Sequence, residues 1–76
     1  MKVHAIICNK CGATIYSRAV HDFHWCPCKT VAIDGGFDYT RIIGTDFRQT
    51  KIEVKATKEE LFNDWNIQID KFGTIK

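Results

Sequence analysis

Cys8, Cys11, Cys26 and Cys28 are the residues of this chain whose type and spacing could do chemistry, in the pattern C-x2-C-x14-C-x-C. Two close pairs joined by a short loop suit the binding of one ion by four thiolates. A structural zinc site wants four tetrahedral ligands, and thiolate sulfur is a soft donor. In Cys8-Asn9-Lys10-Cys11-Gly12 a tight loop puts both sulfurs on one side. Its backbone amides can donate to them, and Gly12 lets the chain turn away without a Cβ clash. Cys26-Pro27-Cys28 leaves one residue between ligands. In extended chain such residues point to the same face, so both sulfurs can reach one ion. Pro27 stiffens that pair and removes one amide. The spacing predicts one metal ion per chain on these four cysteines, zinc or iron, since both accept tetrahedral sulfur.

Other uses of the cysteines fit less well. Buried thiols can pack as small hydrophobes, but isolated cysteines do this more often than close pairs. A redox dithiol would want CxxC beside a βαβ pattern, and no helix follows Cys11 here. His21 and His24 stand just before Cys26. Either could replace one cysteine in a three-cysteine, one-histidine site, or donate to a sulfur from outside the ligand set. His21 and Asp22 are adjacent and would face opposite ways in extended chain, so they form no acid–base dyad. His4 reads as a surface residue. Four thiolates leave no open coordination position for catalysis. No nucleophile elbow, phosphate loop or paired-acid motif accompanies them. The sequence therefore reads as non-enzymatic.

The elements that must position these cysteines are short. Val3–Ile7 reads as a strand entering the first pair, Thr14–Tyr16 as one leaving it, and Phe23–Trp25 as one entering the second. Residues 29–55 read as a β-meander. Thr30–Ile33 is one strand, Asp34-Gly35-Gly36 a turn, Phe37–Ile43 the return strand and Gly44-Thr45-Asp46 another turn. Lys51–Lys55 alternates with period two, as a half-exposed strand does. Thr57-Lys58-Glu59-Glu60 is a capping box. It opens a helix over residues 58–65 with Leu61, Phe62 and Trp65 on one face. Beyond Asn66, Ile69 and Phe72 would continue a helical stripe, whereas Trp65, Ile67 and Ile69 alternate as a strand. The reading adopted is an extended tail, with Asn66 closing the helix in the left-handed conformation. The fold class is small α+β: zinc-ribbon-like hairpins and meander with one C-terminal helix.

The chain's 76 residues allow one domain, with a ribbon-like part over 1–44 and a strand-plus-helix extension over 45–76. So small a core often needs a staple, and a metal would supply it. The aromatic residues are expected mostly in that core, with Trp25 shielding the metal from water. No apolar run reaches the roughly 20 residues of a membrane helix. The apolar patch near the N-terminus is too brief for a signal-peptide core, so the chain reads as cytoplasmic. A reducing compartment argues against two disulfides.

Cys8-x-x-Cys11-Gly12, His21-Asp22-Phe23, Cys26-x-Cys28 and Asp34-Gly35-Gly36-x-Asp38-Tyr39-x-Arg41 together resemble a family of small phage and prophage proteins. The resemblance covers roughly residues 6–44. It implies a zinc-ribbon-like module of phage origin, acting in the host cytoplasm, and brings no activity with it. Lys29 stands where that family tends to have glycine, and Ile42 where it has a second arginine.

Two kinds of partner follow. Eleven Lys and Arg against nine Asp and Glu give a net charge of +2. Near-neutral charge, aromatic content and the lack of catalytic parts favour a protein partner, such as a host factor. The alternative is a nucleic-acid-binding ribbon, with Lys10, Arg18, Lys29, Arg41 and Arg48 on phosphate and Tyr39 stacking on bases. A weaker third reading is self-assembly through exposed strand edges at Ile52–Val54 and Trp65–Ile69.

Overall fold

The computed structural model describes residues 2–36 and 39–75. Its elements are β1 (Lys2–Cys8), β2 (Thr14–Ile15), β3 (His24–Trp25), β4 (Ala32–Asp34), β5 (Arg41–Ile43), β6 (Phe47–Glu53), α1 (Lys58–Asn66) and β7 (Thr74–Ile75). Two antiparallel sheets form, in the orders β6-β1-β2-β7 and β3-β4-β5. With the single described helix near the C-terminus, this is a small α+β fold.

The larger sheet is built on β1, whose two faces are both used. Alternate side chains of a strand point to opposite sides. Ile6 and Cys8 therefore face one way and Val3 and Ala5 the other. The first pair joins Ile15, Cys26, Val31 and Ile33 in one buried cluster, with Ile42 and Phe47 packed against it. The second pair joins Tyr16, Val54 and Leu61, with Ile52, Ala56 and Phe72 alongside. Strand register enforces the sorting: Ile6 lies opposite Ile15, Cys8 opposite Phe47 and Val3 opposite Ile52. A one-residue slip would exchange the two faces. The sheet thus separates the cysteine-bearing side from the helix side.

The meander is interrupted. β4 and β5 pair as expected, but β6 leaves them and pairs along its whole length with β1. A seven-residue partner offers β6 more ladder bonds than the three-residue β5 could. The start of the expected return strand, Phe37 and Asp38, lies outside the described residues.

The capping box closes in both directions. Glu60 N–H donates to Thr57 Oγ1 at 3.1 Å, and Thr57 N–H donates to Glu60 Oε1 at 3.3 Å. Leu61 is the helix's fully buried apolar residue, while Phe62 is exposed. The helix runs through Asn66 and ends at Ile67. The left-handed residues are Gln68 and Asp70, not Asn66. Ile69 is left exposed, because the helix has already ended there, and the tail returns as β7 to pair with β2.

The core is more aliphatic than the composition suggests. Phe23, Trp25, Tyr39 and Phe62 are all exposed. His4 is not a free surface residue: it is half-buried, and its Nε2 is buried without a hydrogen-bond partner.

Candidate metal centre

Each cysteine pair sits at the tip of a hairpin. In the first, Cys8 N–H donates to Ala13 O at 2.9 Å and Gly12 N–H to Cys8 O at 2.8 Å. In the second, Cys26 N–H donates to Val31 O at 3.0 Å and Lys29 N–H to Cys26 O at 2.8 Å. The second pair is therefore a closed turn and not extended chain. The turn is completed by Lys29 at φ 58°, a left-handed conformation that glycine adopts without strain.

The two tips bring all four Sγ atoms within 4.8 Å of one another. Cys28 Sγ lies 3.3 Å from Cys26 Sγ and 3.5 Å from Cys8 Sγ. Metal–sulfur bonds of about 2.3 Å in a tetrahedron imply sulfur–sulfur edges of about 3.8 Å, so the group has the size of one coordination shell. A disulfide bond would need about 2.05 Å, and the cysteines are free thiols. Cys8 and Cys26 are buried, Cys11 and Cys28 exposed.

Electrostatics also ask for a cation. The Cys11 amide favours the Cys8 thiolate, but burial and the nearby Cys28 and Cys11 sulfurs outweigh it, and the Cys8 thiol is pushed up to about 11. Cys28 moves the other way. The Thr30 side chain, 3.1 Å from its Sγ, favours the thiolate, and with the Cys26 thiol and the Thr30 amide it overcomes the cost of burial. Cys28 comes down to about 6. One negative charge is thus easily placed, and further ones resist it. A metal ion removes that resistance by replacing the protons.

The histidines lie outside this ligand group. His21 is exposed, its ring 6.3 Å from that of Trp65. His24 Nε2 is 2.6 Å from Thr74 Oγ1, and its Nδ1 is 3.7 Å from Asp22 Oδ1. Trp25, expected as a shield, is 43% exposed and packs against Phe23 at a ring separation of 5.6 Å.

The expected basic surface is only partly present. Lys10, Lys29, Arg41 and Arg48 are exposed, and Arg48 Nε donates to Asn9 Oδ1 at 3.2 Å. Tyr39 is exposed but precedes β5, so it does not share a strand with Arg41. Arg18 is 5% exposed and cannot contact phosphate. Its Nε and Nη2 fork onto Asp22 at 2.7 and 3.2 Å, and its Nη1 reaches Asp64 at 2.8 Å and Asp70 at 3.1 Å.

This ion cluster was the feature that local patterning missed. Asp64 lies on α1 and also accepts the N–H groups of Lys71 and Phe72. One guanidinium therefore ties the His21-Asp22-Phe23 loop to the helix and the tail. Burial disfavours ionised Asp22, but the nearby His24 ring and the bonds from Arg18 prevail and hold it at about 2. Asp64 is likewise lowered against its burial by Arg18 and the two amides. The Asp-Gly-Gly segment supports the same loop. Gly36 N–H donates to Ser17 Oγ at 3.0 Å, and a Cβ on Gly36 would lie 2.5 Å from the Ala19 carbonyl carbon.

Fold and site together define a small α+β protein whose two hairpin tips gather four cysteines into a group able to hold a metal ion. Residues 1–44 match the model of a domain of unknown function (DUF7695), and the chain belongs to that family. The match spans all four cysteines and the stretch that carries the phage-protein resemblance. No match was found among curated proteins or among solved structures.

Proposed function

We propose that this chain is a non-enzymatic binding module, folded around one zinc ion on Cys8, Cys11, Cys26 and Cys28, that docks on a protein partner. The observation that carries the reading is the gathering of four sulfurs, from residues 20 apart in sequence, into one shell-sized group. Four thiolates would complete the coordination of zinc and leave no position for a reacting water. Zinc is favoured over iron because a closed four-cysteine shell is its usual structural site. The metal would make a zinc-ribbon-like platform of the two hairpins. Phe23 and Trp25, packed on each other yet both more than 40% exposed, offer an aromatic surface on the β3 edge of the smaller sheet. Aromatic residues are enriched among interface anchors. The phage resemblance fits a host factor as the partner, met in the host cytoplasm.

Native mass spectrometry before and after chelation tests the metal. One zinc per chain, with unfolding on removal, is the expected result; no metal and four free thiols would end the reading. Partner capture by wild type but not by a zinc-loaded Phe23→Ala, Trp25→Ala variant tests the surface.

The second reading, nucleic-acid binding, draws on Lys10, Lys29 and Arg48, exposed on the hairpin tips and the adjoining strand. It expects binding to DNA or RNA that falls steeply with salt. No binding at low salt would remove it.

A further inference from the structure

The four sulfurs are not equivalent. Cys8 and Cys26 are sealed in the core beside Val31 and Ile33. Cys11 and Cys28 face solvent. Beside Cys11 a cleft of about 240 Å3, lined also by Gly12, Ala13 and Pro27, opens the same end of the molecule. Cys28 combines two properties: it is exposed, and two other sulfurs lie within 3.5 Å of it. A sulfur with two others within 3.5 Å is thus left partly open to small molecules.

We propose that Cys28 is a modification site, oxidised by hydroperoxides, from which a disulfide closes onto Cys8 or Cys26 and expels the metal. The inference rests on the metal reading above. In the first step the Cys28 sulfur attacks the peroxide O–O bond. An S–O bond forms, the O–O bond breaks, and water leaves when the oxidant is hydrogen peroxide. In the second step the sulfur of Cys8 or Cys26 attacks the Cys28 sulfenic acid. An S–S bond forms, the S–O bond breaks, and a second water leaves. Two thiolates give up two electrons to the peroxide, and two protons from solvent complete the two waters. The ion then has two thiolates left and departs hydrated.

Geometry also sets the reverse path. Lys29 N–H is bonded to Cys26 O, and the ring of Pro27 restricts the same turn. A disulfide bridging that turn would close a small ring across Pro27, which strains it. Strained disulfides are readily reduced. A dithiol reductant with added zinc should therefore restore the starting state.

The test uses the full chain as purified with zinc. It is treated with equimolar hydrogen peroxide, free zinc is read with a colorimetric chelator, and remaining thiols are alkylated for peptide mapping. The expected result is one zinc released per disulfide formed, with Cys28 in that first disulfide, joined to Cys8 or Cys26, and recovery after reduction with zinc present. A first disulfide that leaves Cys28 reduced, or joins it to Cys11, overturns the proposal. Retention of zinc and all four thiols under peroxide that oxidises the zinc-free chain also overturns it. A chain that carries no metal before oxidation refutes the metal reading itself, and the release with it.

Discussion

The cysteine group and the Arg18 cluster are both charged centres set into the core, and they are neutralised in opposite ways. Arg18 brings its own cation to Asp22 and Asp64, with every contact between 2.7 and 3.2 Å. The cysteines supply only acids. Their charge must be cancelled by protons or by an ion from outside. The Arg18 centre is complete once the chain has folded, whereas metal binding at the cysteines would couple folding to metal supply. The two are also placed differently. The sulfurs join two hairpins within residues 1–44, while Arg18 joins that part to α1 and the tail.

Removing the metal should have the largest effect. Structural zinc sites contribute on the order of 10 kcal/mol to the folded state. Chelation at neutral pH should therefore unfold the hairpins, seen as loss of amide dispersion in NMR spectra. An apo chain with unchanged spectra would reduce the cysteines to ordinary core residues. Next comes Arg18→Ala, which leaves two buried carboxylates uncompensated and should cost about 3–5 kcal/mol in urea denaturation. It should still bind one metal per chain. Loss of the metal in that variant would show that the centres are not separable.

Acid should reach the metal centre before it reaches Asp22. Protons compete with the metal for thiolates, so metal release comes first as the pH falls. Asp22 is held at about 2 in the folded chain, below its ordinary value of 3.8. Its lowered value means that the unfolded chain binds the proton more readily. The stability it contributes is present above about pH 4 and is lost as pH falls through 2. A pH titration following metal and helix content together should show the helix lost with the metal; helix that survives metal release and melts only near pH 2 would show that the Arg18 cluster holds without the metal. The smallest effect expected is Lys29→Gly. Relief of the positive φ in the second turn should stabilise the metal-loaded protein by about 1 kcal/mol. No change in its melting temperature would mean that this turn relaxes freely.

What was legible in advance was local. Cysteine spacing marked the ligand group, period-two stretches marked strands, and Thr57 with Glu60 marked the start of α1. What escaped depended on distant partners. Alternation in Lys51–Lys55 reveals a strand but not that it lies against β1. Arg18 looks like any surface arginine until Asp64, 46 residues away, is brought to it. Asp22 at i+4 offered a hint, but that spacing is informative on a helix and this segment is a loop. The turn at Cys26–Cys28 is not legible because it puts Lys29 in a conformation that lysine rarely adopts.

The pairing of β6 along β1 also decides where this chain can be divided. A chain cut after residue 44 would lose that strand, together with Val54 and Leu61, which cover Val3, Ala5 and Tyr16. Residues 1–44, the part matched by the family model, thus form a unit that is chemically complete and physically unfinished.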